Sequence, residues 1–101
     1  MRDPRLADDE LAELLEGPEA PDWQLVGGRL MKTVRCHGFA GALAFVNAVG
    51  ALAEAADHHP NIYMRWDTVT LRLTTHSAGG LTEKDFALAA EIDRLFEQGV
   101  A

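Results

Sequence analysis

Residues 62–76, IYMRWDTVTLRLTTH, decide the fold. From Val69 onward the pattern alternates: Val69, Leu71 and Leu73 fall on one side, Thr70, Arg72, Thr74 and His76 on the other. Successive side chains of a strand point to opposite faces, so this period of two predicts a strand with one buried and one polar face. Ile62 to Arg65 form a preceding strand, and Trp66-Asp67-Thr68 between them reads as a hairpin turn. An earlier stretch repeats the design. Trp23 to Val26 and Arg29 to Cys36 are predicted strands joined by Gly27-Gly28, and glycine supplies the positive φ angles of a tight two-residue hairpin.

Outward from the hairpins the apolar period changes to that of a helix. Phe39 to Ala56 carries Phe39, Leu43, Val46, Val49 and Leu52 at helical spacing, while Phe45 and several alanines fill much of the remaining circumference. A helix apolar nearly all round needs cover on more than one side. In a small domain one side faces the sheet, and the other is expected to face another subunit. Ahead of the first hairpin, Asp8-Asp9-Glu10 precede Leu11, Leu14 and Leu15, and Gly17-Pro18 stop that helix. Glu19 to Asp22 read as a linker. After the second hairpin, Thr82 and Asp85 stand at capping-box spacing before the stripe Phe86, Ala89, Ala90, Ile92, Leu95 and Phe96. The order α-β-β-α-β-β-α implies an α+β fold: a four-stranded antiparallel sheet with helices packed on one face, as a single domain over residues 1–101.

Sixteen acidic against nine basic residues give a net charge of −7. That sign repels phosphate backbones and anionic lipid, so neither nucleic acid nor a membrane is expected as a direct partner. Residues 1–10 hold four acidic groups and lack the apolar core of a signal peptide, and the charge-free run Gly38 to Ala53 is short for a membrane span. The lone Cys36 excludes an internal disulfide, reads as a buried inert thiol and suits a reducing cytoplasm.

Histidine placement carries the chemistry. His58 and His59 sit where the long helix meets Pro60, and His76 ends the alternating strand. Proline disfavours helical geometry in the residue before it, so His59 leaves the helix extended. Imidazoles titrate near neutrality, so one donates a proton while a neighbour accepts one. Asp57 and Asp85 are placed to orient a ring. Plainer readings stand beside these: the pair as a cationic helix cap, Asp85 as a capping residue only, His37 as a solvated turn residue, and Trp23 and Trp66 as hairpin aromatics. Three histidines and an aspartate also suit a zinc or iron site, although neighbouring histidines diverge and neither H-E-x-x-H nor C-x-x-C is present. Cys36 and Ser77 lie in no nucleophile-elbow motif.

The segment Glu54 to Asp85 resembles the signature of the pterin-4a-carbinolamine dehydratases. Glu54 is followed after three residues by His58-His59-Pro60, after five more by Trp66, after nine by His76 and after eight by Asp85. The similarity extends more loosely back through Trp23 to the first helix. It implies a cofactor-free, metal-free hydro-lyase that dehydrates 4a-hydroxytetrahydrobiopterin to quinonoid dihydropterin. Such an enzyme forms homodimers or homotetramers and serves the aromatic amino acid hydroxylases of the same pathway. Position by position, Asp57, His58 and His59 match the first pterin-binding stretch, and Thr74, Thr75, His76 and Ser77 the second. Glu54 and Asp85 match the supporting acidic positions. The resemblance makes His58, His59 and His76 the catalytic residues. His58 and His76 are expected to protonate the leaving hydroxyl, and His59 to bind the pterin and manage the N5 proton. Asn61-Ile62 and Ser77 depart from the animal pattern, which often has an acidic residue and tryptophan at the former and an acidic residue at the latter. Some relatives only bind: one stabilises a dimeric transcription factor, and carboxysome-linked ones assist Rubisco assembly. Retention of all three histidines and Asp85 here favours the enzyme.

Overall fold

In the computed structural model, which describes residues 4–16 and 22–101, the alternating segment is the central strand β4, Thr68–Leu73. Its Val69, Leu71 and Leu73 are buried while the residues between them are half exposed. The other elements are α1 (Asp8–Glu16), β1 (Gln24–Val26), β2 (Arg29–Arg35), α2 (Gly38–Ala56), β3 (Asn61–Arg65) and α3 (Glu83–Glu97). The sheet is antiparallel in the order β1-β2-β4-β3, with Leu30 opposite Leu73 and Val34 opposite Val69. These side chains form one core with Phe45 and Val49 of α2 and with Phe86, Ala89 and Ile92 of α3, so helices cover one face of the sheet. Burying a side chain of this size contributes about 1.5–3 kcal/mol.

Both hairpins turn in two residues. Gly27 and Gly28 have φ of 59° and 76°, the left-handed geometry for which glycine was expected there. In the second hairpin Thr68 belongs to β4, pairing with both Arg35 and Arg65, so the link is Trp66-Asp67 alone, not three residues. Trp66 takes φ 54° and lies largely exposed, its ring stacked on Phe39 with centroids 6.1 Å apart. Trp23, by contrast, is buried.

The strand ends earlier than its alternation suggests. β4 stops at Leu73 because its neighbours run out: β2 begins at Arg29 and β3 pairs no further than Asn61 with Arg72. Thr75 instead forms an isolated bridge with Gly80, and His76 opens a 3-10 turn, His76–Ala78, that Gly79 closes at φ 75°. His76 is therefore a loop residue and not the end of a strand.

Helix α2 runs 19 residues and is long and apolar enough, by length and composition, to cross a membrane. Here Ala42, Phe45, Val49 and Ala53 sink into the core, whereas Phe39 and Leu43 remain exposed in the single chain. The apolar girdle seen in the sequence is thus covered on one side. Gly17-Pro18 and the linker up to residue 21 lie outside the described residues.

Candidate active site

The site begins with the way α2 ends. Asp57 takes the left-handed conformation, φ 49° and ψ 42°, that usually falls to glycine at this position. Its N–H donates to Glu54 O at 3.2 Å, and His58 N–H reaches back to Ala53 O at 3.1 Å. This pair of reversed bonds satisfies the final carbonyls and swings the chain across the helix end. His58 is thereby directed toward α3, and His59, one residue on, toward solvent.

Asp85 is the centre of the arrangement. It is fully buried on the first turn of α3, where Thr82 caps the helix and accepts from Lys84 N–H at 3.3 Å. Asp85 Oδ2 accepts from Thr82 N–H and from the Thr75 hydroxyl, both at 2.9 Å. Because Thr75 spends its proton on Asp85, the Thr82 hydroxyl donates to Thr75, also at 2.9 Å. Asp85 Oδ1 faces His58 Nε2 at 2.6 Å. A carboxylate only accepts, so His58 carries its hydrogen on Nε2 and leaves Nδ1 for a second partner. A buried carboxylate without donors costs several kcal/mol; three donors offset that penalty here. Asp85 is consequently both a capping residue and a holder of histidine, and the two readings of the sequence merge.

The other candidates surround this core at different depths. His59 Nε2 lies 3.3 Å from Glu54 Oε2, with side chains 55% and 80% exposed, whereas the His58 side chain is 11% exposed. Asp57 is exposed, and its left-handed backbone turns the chain ahead of the two histidines. Thr75 joins the buried network, while Thr74 and His76 border a cleft of about 340 Å³ between α1, the first hairpin and the Thr74–Leu81 loop. Ser77 is exposed in the 3-10 turn. His58 borders a different hollow, about 130 Å³, with Lys84 and Glu91. Within one chain, then, the structure ties the two signature stretches together through the contact Thr75–Asp85–His58, with His76 following Thr75 directly in the chain. Among the described residues no three His, Cys, Asp or Glu side chains converge as metal ligands. Burial first, and the Asp67 carboxylate second, push the Cys36 thiol above its ordinary pKa, which keeps it protonated and inert.

One polar cluster escaped the sequence reading. Asp93, buried on α3, accepts from Trp23 Nε1 at 3.0 and 3.1 Å and from Lys32 Nζ at 2.8 Å. Lys32 stands between Leu30 and Val34 on the same inner face of β2, where a lysine needs a buried carboxylate. An Asp eight residues beyond Asp85 and one turn from the helix end gave no local signal of that role.

A four-stranded sheet backed by helices, with a carboxylate-held histidine at their junction, places the chain with the pterin dehydratases. The transcriptional coactivator/pterin dehydratase from Brucella melitensis has this fold, with a TM-score of 0.84 at 29% identity over 90% of this chain and 97% of that one. A pterin dehydratase-like protein identified as a RuBisCO assembly factor in the alpha-carboxysome gives 0.64 at 30% identity, over 76% and 92%. The chain belongs to the Pterin 4 alpha carbinolamine dehydratase family, whose model matches residues 4–95. A Chloroflexus aurantiacus protein provisionally named pterin-4-alpha-carbinolamine dehydratase is 54% identical over 91% of this chain and 97% of its own length. One of that provisional name from Nocardia farcinica is 47% identical, over 89% and 93%.

Proposed function

We propose that this protein dehydrates a reduced pterin carbinolamine, the 4a-hydroxytetrahydrobiopterin type, to the quinonoid dihydropterin. The observation that carries the reading is the buried Asp85, which fixes the His58 tautomer through one oxygen and holds Thr75, beside His76, through the other. A helix cap alone needs neither bond.

In the reaction the C4a–O bond breaks and the hydroxyl leaves as water with one added proton. The N5 lone pair forms the C4a=N5 bond, and N5 gives up its proton. The substrate supplies the electron pair, so the reaction requires neither redox cofactor nor covalent intermediate. Histidine acid-base help contributes about 10²–10⁴-fold. His76 and His59, being exposed, are free to meet a ligand, His76 as donor to the hydroxyl and His59 at N5. His58 departs from the simple donor role expected of it: with Nε2 held and little of its ring exposed, it acts through the Nδ1 edge. Asp57, Thr74 and Ser77 join these histidines as pterin-binding residues, and Glu54 and Asp85 support them. The aromatic amino acid hydroxylases, as the source of such carbinolamines, are the pathway partners, in the cytoplasm. The exposed Phe39 and Leu43 of α2 support a homodimer or homotetramer.

The test generates the carbinolamine in place with a hydroxylase and follows quinonoid absorbance. Acceleration over spontaneous dehydration, lost in His76→Ala and His59→Ala, is expected; no acceleration overturns the reading. The assembly-factor relative supports a second one, a binding role without catalysis. That role predicts a protein inert in this assay whose function survives loss of the histidines.

A further inference from the structure

The cleft beside His76 is basic in an acidic protein. Its walls carry Arg5, Arg29, Thr74 and His76 against a single carboxylate, Asp8, while the whole chain has a net charge of −7. Among the described residues neither guanidinium is ion-paired: the salt bridges of the chain involve Lys32, Arg35, His58 and His59, and Asp8 shares the cleft without pairing to either arginine.

The backbone places both arginines at this cleft. Leu6 is buried and its N–H donates to Leu81 O at 2.8 Å, which pins the chain next to Arg5 against the loop that begins at His76. The Arg5 side chain crosses Gly80 so closely that a Cβ there would stand 2.9 Å from its Nε and 3.2 Å from its Cδ. Arg29 opens β2 opposite Val26, directly after the Gly27-Gly28 turn. A Cβ at Gly27, Gly28 or Gly79 would meet nothing within 4 Å, so these three positions leave open space at the cleft. Two guanidiniums bordering one cleft without a salt bridge make a recognition element for phosphate or carboxylate, which accept their parallel N–H bonds.

We propose that this cleft receives a negatively charged side chain of the pterin substrate, phosphate or carboxylate, between Arg5 and Arg29 while the ring meets His76. The proposal rests on the dehydratase reading and narrows its substrate to reduced pterins with an anionic tail.

Isothermal titration of the full chain with three ligands tests it: 7,8-dihydrobiopterin, whose tail is neutral, 7,8-dihydroneopterin 3′-phosphate, and dihydrofolate, whose tail ends in carboxylates. The preference for an anionic over the neutral tail is expected to be about tenfold or more, the size of one charge-assisted contact. It should shrink toward unity in Arg5→Gln and in Arg29→Gln, recover in part in the lysine variants, and weaken with added salt. Whichever of phosphate and carboxylate binds tighter names the tail. Equal affinity for neutral and anionic ligands, or a preference that survives both glutamine variants, overturns the assignment and leaves the dehydratase reading intact. Absence of binding by all three overturns both.

Discussion

His58 and His59 are neighbours in the chain, and each faces a carboxylate, but the two pairs live in different physical worlds. His58 meets Asp85 at 2.6 Å with both groups buried. His59 meets Glu54 at 3.3 Å with both groups in water. In the first pair each group is a condition for the other's burial, because either one alone leaves an unpaired polar atom in a dry place. In the second, solvent substitutes for whichever partner is removed, and such pairs contribute about 0–1 kcal/mol. The interior pair is therefore a structural tie that fixes a tautomer. The outer pair is free to change partners, which the role proposed for His59 at N5 requires.

The hardest blow to this contrast is Asp85→Ala. It removes a helix cap and strands Thr75, Thr82 N–H and His58 without their acceptor, so a loss of about 3–4 kcal/mol in urea unfolding is expected. Asp85→Asn separates the two duties of the residue. Its amide oxygen keeps part of the cap, but an NH₂ turned to His58 forces the opposite tautomer, as happens when a triad aspartate becomes asparagine. Stability should fall by about 1–2 kcal/mol while kcat drops much further. Equal, small losses from both variants would mean that the buried pair does not hold the loop and the helix together.

His58→Ala is next in size. Asp85 Oδ1 then loses its donor in the interior, at a cost of about 2 kcal/mol. His59→Ala is its counterpart and reverses the balance: stability within about 0.5 kcal/mol of the parent, and turnover lower by about 10²–10⁴-fold. Thermal melts and dehydration rates on the two variants measure this opposition. Should His59→Ala unfold as readily as His58→Ala, exposure would be a poor guide to the division of labour between them.

The same contrast shows what a sequence can carry. The α-β-β-α-β-β-α order was legible because each element announces itself within a few residues: alternation in β4, glycines at the first hairpin, the capping box before α3. Asp85 was legible as a cap for that reason. Its bond to His58 spans 27 positions and exists only once α2 and α3 pack, so spacing within a helix cannot reveal it. The end of β4 was misplaced because pairing partners on β2 and β3, not the strand's own pattern, decide where a strand stops. Of the three histidines singled out by their turns, His58 is tied to the strand-end loop through Asp85 and Thr75, a link that no local pattern announces. Depth was the illegible quantity: nothing in Asp57-His58-His59-Pro60 says which ring is buried, since the left-handed turn at Asp57 sets that.

Glu54→Gln should have the smallest effect and tests the outer pair most directly. The substitution removes a charge but keeps a hydrogen-bond acceptor at nearly the same place. With 80% of the Glu54 side chain in solvent, its attraction for an imidazolium is screened, and a stability change below about 0.5 kcal/mol is expected. The amide oxygen accepts the same imidazole N–H, so turnover is expected to stay within about fivefold of the parent's. If N5 deprotonation runs through His59, the small change falls on kcat and its dependence on salt flattens, because the screened interaction is gone. A kcat and salt response identical to the parent's would show that the contact between Glu54 and His59 is incidental, and would leave the outer histidine acting alone.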